Sequence, residues 1–201
     1  MENNIFNQYL GIIEPDDLVK SDAIAMKIRC KDEHDWASAM YSKPHFTIFE
    51  IVQPAINEEK LIKSFERNIE NISPFQIDLY GFDYFSGSKC TLYVKLKDEK
   101  EFSEMARYIK KFSSPILKSV KDHTPHYNTK NAHLTIAKGI SEPEFVNAWK
   151  SWKNAEYQST TNANRMLLLR RPLSLVNFKY EIIGKYPFLG KGPLETQMAL
   201  F

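Results

Sequence analysis

Two cysteines are all that 201 residues contain. Cys30 and Cys90 each stand in an apolar stretch, without the spacing of a metal site, so both are expected to be buried free thiols. Glycine is scarce and the prolines are scattered, which excludes a disordered or low-complexity linker. No apolar run approaches the roughly 18 residues that a membrane span requires. The first residues, Met1-Glu2-Asn3-Asn4, lack the basic and apolar segments of a signal peptide. Together these absences predict a cytoplasmic protein with no membrane partner. The net charge of +2 is close to neutral, so any affinity for nucleic acid must come from local placement of charge.

What the chain does have is one short pattern written twice. Pro44-His45-Phe46-Thr47-Ile48 opens one apolar run, and Ala132-His133-Leu134-Thr135-Ile136 opens another. If each run is a strand, the period of two puts His45 with Thr47 on one face and His133 with Thr135 on one face. The apolar residues between them point into a core.

The surrounding periodicities repeat as well. Residues 1–21 read as an N-terminal arm, with Ile5, Phe6, Tyr9, Leu10 and Ile13 spaced as in a short helix. Residues 23–29 alternate as a strand, and 31–41 suit a short helix. Asn57 is placed to cap a helix through Leu61, Phe65 and Ile69. Strands are expected over 75–82 and 90–96, then a helix over 102–112 behind the capping pattern Asp98-x-x-Glu101. Residues 113–131 read as a long loop. After the second motif, Ser141-x-x-Glu144 caps a helix containing Phe145 and Trp152. Further strands are expected over 166–169 and 178–183.

The two histidines are 88 residues apart. That spacing suits a duplicated βαβαβ lobe, with pseudo-repeat halves at about 22–85 and 89–185 of a single domain spanning 22–201. Lobes packed about a pseudo-two-fold axis would bring both motifs to one cleft.

Imidazole titrates near 6.5, so one histidine can be neutral while the other is protonated at physiological pH. That pair of states is what concerted general base and general acid catalysis requires. A threonine on the same face offers a hydroxyl to the non-bridging oxygens of a phosphate. No carboxylate lies at a matching position on either strand, so neither motif supports a metal.

The duplicated pattern His45-Phe46-Thr47-Ile48 and His133-Leu134-Thr135-Ile136 resembles the signature of the two-histidine (2H) phosphoesterases. These include 2′-5′ RNA ligase-like proteins and cyclic nucleotide phosphodiesterases. The resemblance spans residues 22–185 and is specific at the two motifs. It implies a bilobal α+β fold, with antiparallel sheets around a central cleft and helices outside. It implies a phosphoesterase that needs neither metal nor cofactor and attacks 2′,3′-cyclic phosphates or 2′-5′ phosphodiesters. Its partners would be RNA ends, cyclic oligonucleotides or small nucleotides, and nothing in the sequence requires more than a monomer. His45 and His133 would be catalytic, with Thr47 and Thr135 on the phosphate.

Further candidates for substrate contact are Lys43, two residues before His45, and Phe49, on the face of His45 by simple alternation. Tyr127 in the long loop and the tandem Arg170-Arg171 complete the set. Lys138 falls on the opposite parity from His133. Two alternatives stand beside the enzyme: a non-catalytic module binding nucleotides or RNA ends in the same cleft, and a metalloprotein using His123, His126 and His133.

Overall fold

The computed structural model describes residues 5–174 and 179–192. Along the chain the strands are β1 (Phe6–Ile13), β2 (Phe46–Pro54), β3 (Phe75–Phe85), β4 (Cys90–Leu96), β5 (His126–Tyr127), β6 (His133–Ile140), β7 (Gln158–Ala163), β8 (Arg165–Pro172) and β9 (Glu181–Pro187). The helices are α1 (Asp17–His34), α2 (Glu58–Asn68), α3 (Lys100–Ser113) and α4 (Glu142–Lys153). The fold is α+β. Every strand pairing is antiparallel, in the order β7-β3-β4-β6-β2-β1-β8-β9, with β5 on β2. No helix among the described residues is long and apolar enough to cross a membrane.

The sheet is two half-sheets held by one joint. Among the described residues β2 and β6 share a single ladder pair, Phe46 with Leu134. Beyond it β6 leaves the edge of β2, and β5 takes over that edge through Phe49–Tyr127 and Glu50–His126. Helices α1 and α4 lie on the half-sheet β7-β3-β4-β6, while α2 and α3 pack together beside β9 and β5.

Several expectations are corrected here. Residues 6–13 are no arm or helix but a strand paired on both sides, with β2 and with β8. Both its faces are buried, Tyr9 and Ile13 on one and Leu10 and Ile12 on the other. An apolar set that dense satisfies helical and strand spacing alike, and pairing on two edges settles it. The strand expected over 23–29 lies inside α1. There Val19, Ala23, Lys27 and Cys30 form the buried stripe, while Leu18, Ile24 and Ile28 remain exposed. The Asp16 side chain caps this helix by accepting from the Val19 N–H at 3.1 Å. With apolar residues outside and a lysine inside, the true helical face is hidden from a hydrophobicity reading.

The repeat halves interleave in space. β3, expected with the first half, pairs with β4 and β7, while β8 and β9 join β1. The motifs still meet, because β2 and β6 are the inner strands of the two half-sheets.

Asn57 does not cap α2. Its amide is buried and donates to Gln53 Oε1 at 3.0 Å and to the Ile116 carbonyl at 3.2 Å. Ser141 and Glu144 form the expected capping box. The strand expected over 178–183 corresponds to β9, and Phe178 lies outside the described residues.

Candidate active site

The two motifs meet head to tail at the Phe46–Leu134 joint. In an antiparallel pair, the residue before one partner lies beside the residue after the other. His45 is thereby set beside Thr135, and Thr47 beside His133. Phe46, Ile48, Leu134 and Ile136 are wholly buried, whereas the histidines and threonines are half-buried.

Each histidine ring is held in the same way. His45 Nδ1 is 2.7 Å from the carbonyl of Lys43, and His133 Nδ1 is 2.7 Å from the carbonyl of Asn131. A carbonyl can only accept, so in both rings Nδ1 carries the hydrogen and Nε2 is left with the lone pair when the imidazole is neutral. Lys43 therefore serves through its backbone, and its side chain is exposed. Asn131 adopts a left-handed φ of 58°, which asparagine tolerates.

Burial lowers the pKa of both imidazoles. Around His45 the other charges work the same way: Lys27, Lys138 and His133 all disfavour its protonated form, and only the Lys43 carbonyl favours it. Around His133 the Asn131 carbonyl and the Glu99 carboxylate oppose the effect of burial. The His133 ring also packs edge-on to Phe85 at 4.9 Å and against Tyr93 at 5.0 Å between centroids. Simple alternation did not single out these two aromatics, because they come from β3 and β4.

A matched irregularity reshapes both strands just after the motif. On β2, Gly11 faces Phe49 while Ile12 faces Thr47, so Ile48 is an extra residue. On β6, Leu92 faces Ala137 while Tyr93 faces Thr135, so Ile136 is an extra residue. Each bulge reverses the side-chain phase beyond it. Phe49 is therefore turned from the His45 face into the core. It is wholly buried, stacked on Phe65 at 5.5 Å and seated over Gly11, where a Cβ would collide with its ring. It cannot stack on a substrate base. By the same shift Lys138, facing Thr91 on β4, shares the face of Thr135, and Glu50 shares the face of Thr47.

The tandem arginines part company. Arg170 lies beside Tyr9 on the helix-facing side of β8 and is bound to Glu58 at 2.6 Å and to Glu181, so it does not face the histidines. Arg171 is on the other face, opposite Gln8, whose Oε1 accepts from its Nε at 2.6 Å, with the guanidinium 4.8 Å over the Tyr180 ring. Tyr127 is a packing residue: its hydroxyl meets Ser113 Oγ at 2.7 Å and its ring lies 5.8 Å from that of Phe49. Among the described residues, no three His, Cys, Asp or Glu stand together as a metal site. His123, His126 and His133 are thus not assembled into one.

The same arrangement of strands recurs in solved structures. Escherichia coli LigT complexed with 3′-AMP superposes with a TM-score of 0.65 at 10% identity, over 91% of this chain and 98% of that one. The protein TT0787 of Thermus thermophilus gives a TM-score of 0.66 at 13% identity, over 92% of this chain and 99% of the other. Another structure, described as a phosphoesterase, gives 0.61 at 11% identity over 90% and 98%. At such identities the likeness establishes the fold. Among curated proteins no sequence match was found. The sequence model of the 2′-5′ RNA ligase superfamily matches residues 16–174. The chain belongs to the 2′-5′ RNA ligase superfamily.

Proposed function

We propose that this protein is a phosphodiesterase acting on 2′,3′-cyclic phosphates or 2′-5′ phosphodiester bonds of RNA ends, cyclic oligonucleotides or nucleotides. It would use His45 and His133 as its acid–base pair and no metal. The observation that carries this reading is the paired ring anchoring, which leaves two Nε2 atoms free on either side of the Phe46–Leu134 joint.

In hydrolysis of a 2′,3′-cyclic phosphate, a neutral imidazole takes a proton from water as the water oxygen bonds to phosphorus. The P–O bond to one ribose oxygen breaks, and the protonated imidazole delivers its proton to that oxygen. Thr47 and Thr135 donate to the non-bridging oxygens, where charge builds. We assign the base role to His45, whose cationic neighbours favour the neutral ring, and the acid role to His133, beside Glu99. Lys138 and Arg171, on the faces of the motif threonines, are candidate contacts for the rest of the substrate.

The test is a panel of 2′,3′-cyclic mononucleotides and of 2′-5′ and 3′-5′ oligonucleotides, with and without EDTA. Turnover of the 2′-linked members that survives EDTA supports the assignment. A panel that is bound and never consumed would instead establish the binding-module alternative.

A further inference from the structure

Lys27 is the most deeply buried charge near the site. It projects from the inner face of α1, is 2% exposed, and pairs with no carboxylate among the described residues. Its Nζ donates to two backbone carbonyls, Ala39 at 3.0 Å and Ile136 at 3.1 Å. Those carbonyls flank the two motifs. Ala39 belongs to the 3₁₀ turn Ala37–Tyr41 that leads into His45, and Ile136 is the bulged residue after Thr135. The Ile136 carbonyl lies just beyond the Phe46–Leu134 joint, and Ser38 Oγ reaches the Lys138 carbonyl nearby at 3.0 Å.

The other half of the molecule solves the same problem without charge. On β2 the carbonyl of the bulged Ile48 accepts from the Asn128 backbone N–H at 2.7 Å, and Thr47 O accepts from the Asn128 amide at 3.2 Å. A neutral donor therefore suffices at a bulge of this kind. An ammonium at the second one carries a desolvation cost that an amide would not incur. That excess cost calls for a use of the charge itself.

We propose that Lys27 is a positioning residue of the two-histidine site. Its buried ammonium ties the turn before His45 to the bulge after Thr135, and its charge adds to burial in favouring the neutral His45 ring. The proposal rests on the reading of His45 and His133 as the reacting pair. Charged groups facing His45 are Lys27 from α1 and Lys138 and His133 from β6. Those facing Lys27 are Lys138 and the Cys30 thiol one turn along its own helix. Burial brings Lys27 down to about 8 and pushes the Cys30 thiol up to about 12, so near neutrality the lysine is charged and the thiol is not.

The test uses Lys27→Gln, which keeps a donor and removes the charge, and Lys27→Met, which removes both. Each is followed by NMR titration of the two imidazoles and by kcat/KM against pH. In Lys27→Gln the His45 midpoint should rise, the acid limb of kcat/KM should move up with it, and the His133 midpoint should stay. Lys27→Met should show the same shift and in addition lose about ten-fold in kcat, with KM little changed, as the motif flanks come untied. A His45 midpoint unmoved in Lys27→Gln, or both imidazoles moving equally, would overturn the proposal. If neither variant folds, the wild-type protein decides. The His45 ring nitrogens should change shift as Lys27 loses its proton below the ordinary lysine range, and no such change overturns the tie. These titrations need no substrate. A chain that turns over no phosphodiester but shows the His45 shift loses the proposed activity and keeps the tie; an active chain with an unmoved His45 loses the tie alone.

Discussion

Phe46 and Leu134 form the one ladder pair that joins the two half-sheets among the described residues, and each is immediately preceded by a motif histidine. The joint and the candidate catalytic pair are thus the same few residues. Both side chains are wholly buried, so the spacing of the two imidazoles is set by core packing rather than by loops.

Replacing His45 or His133 with alanine should lower kcat by about 10²–10⁴-fold each, with a much smaller effect on thermal stability, because both side chains are half-buried and hydrogen-bond to local carbonyls. Steady-state kinetics with circular dichroism melts would check this. Full activity in either variant would rule out a two-histidine mechanism.

The pH dependence follows from the lowered imidazole pKa values. The base must be neutral, so activity falls below its pKa; the acid must be protonated, so activity falls above its own. With both below the usual 6.5, the bell in kcat/KM for the free enzyme should be centred on the acid side of about 6.5. The same shifts act on stability. The unfolded chain takes up protons at these rings before the native state does, so their contribution is complete above about 6.5 and is lost as pH falls from there through the lowered native pKa values. A bell centred above pH 7 would contradict the burial of these rings.

Arg170→Ala should leave KM for any substrate unchanged while lowering stability by about 1 kcal/mol. The loss is that of a partly exposed ion-pair cluster with Glu58 and Glu181. Arg171→Ala, on the opposite face of β8, should instead raise KM. Parallel denaturant titrations and Michaelis plots of the two variants would separate the tandem pair. A raised KM in Arg170→Ala would place it in the site after all.

Gly11→Ala should destabilise the protein by about 1–3 kcal/mol, because the new methyl would collide with the Phe49 ring. It should also lower kcat, since Phe49 follows the bulge that re-aims β2 beside Thr47. Chemical denaturation is the measurement. A neutral substitution would mean that Phe49 is free to move.

The local pattern alone singled out His45, Thr47, His133 and Thr135, because a two-residue period needs no tertiary information to place them on one face. It also marked the capping box at Ser141 and most strand cores. What it missed depends on long-range contact. Alternation assigned Phe49 to the site and Lys138 away from it. The paired bulges at Ile48 and Ile136 reverse both, and a bulge is defined by the neighbouring strand. Arg170 and Arg171 were indistinguishable until β8 had a partner and a buried face. Lys27 falls in the segment that alternation reads as a strand over 23–29, and only the packing of α1 on β6 makes it a buried cation. The side chains that the two motifs offer to one face were therefore written in the sequence, while their aim, their electrostatics and the company they keep were decided by strand pairing and burial.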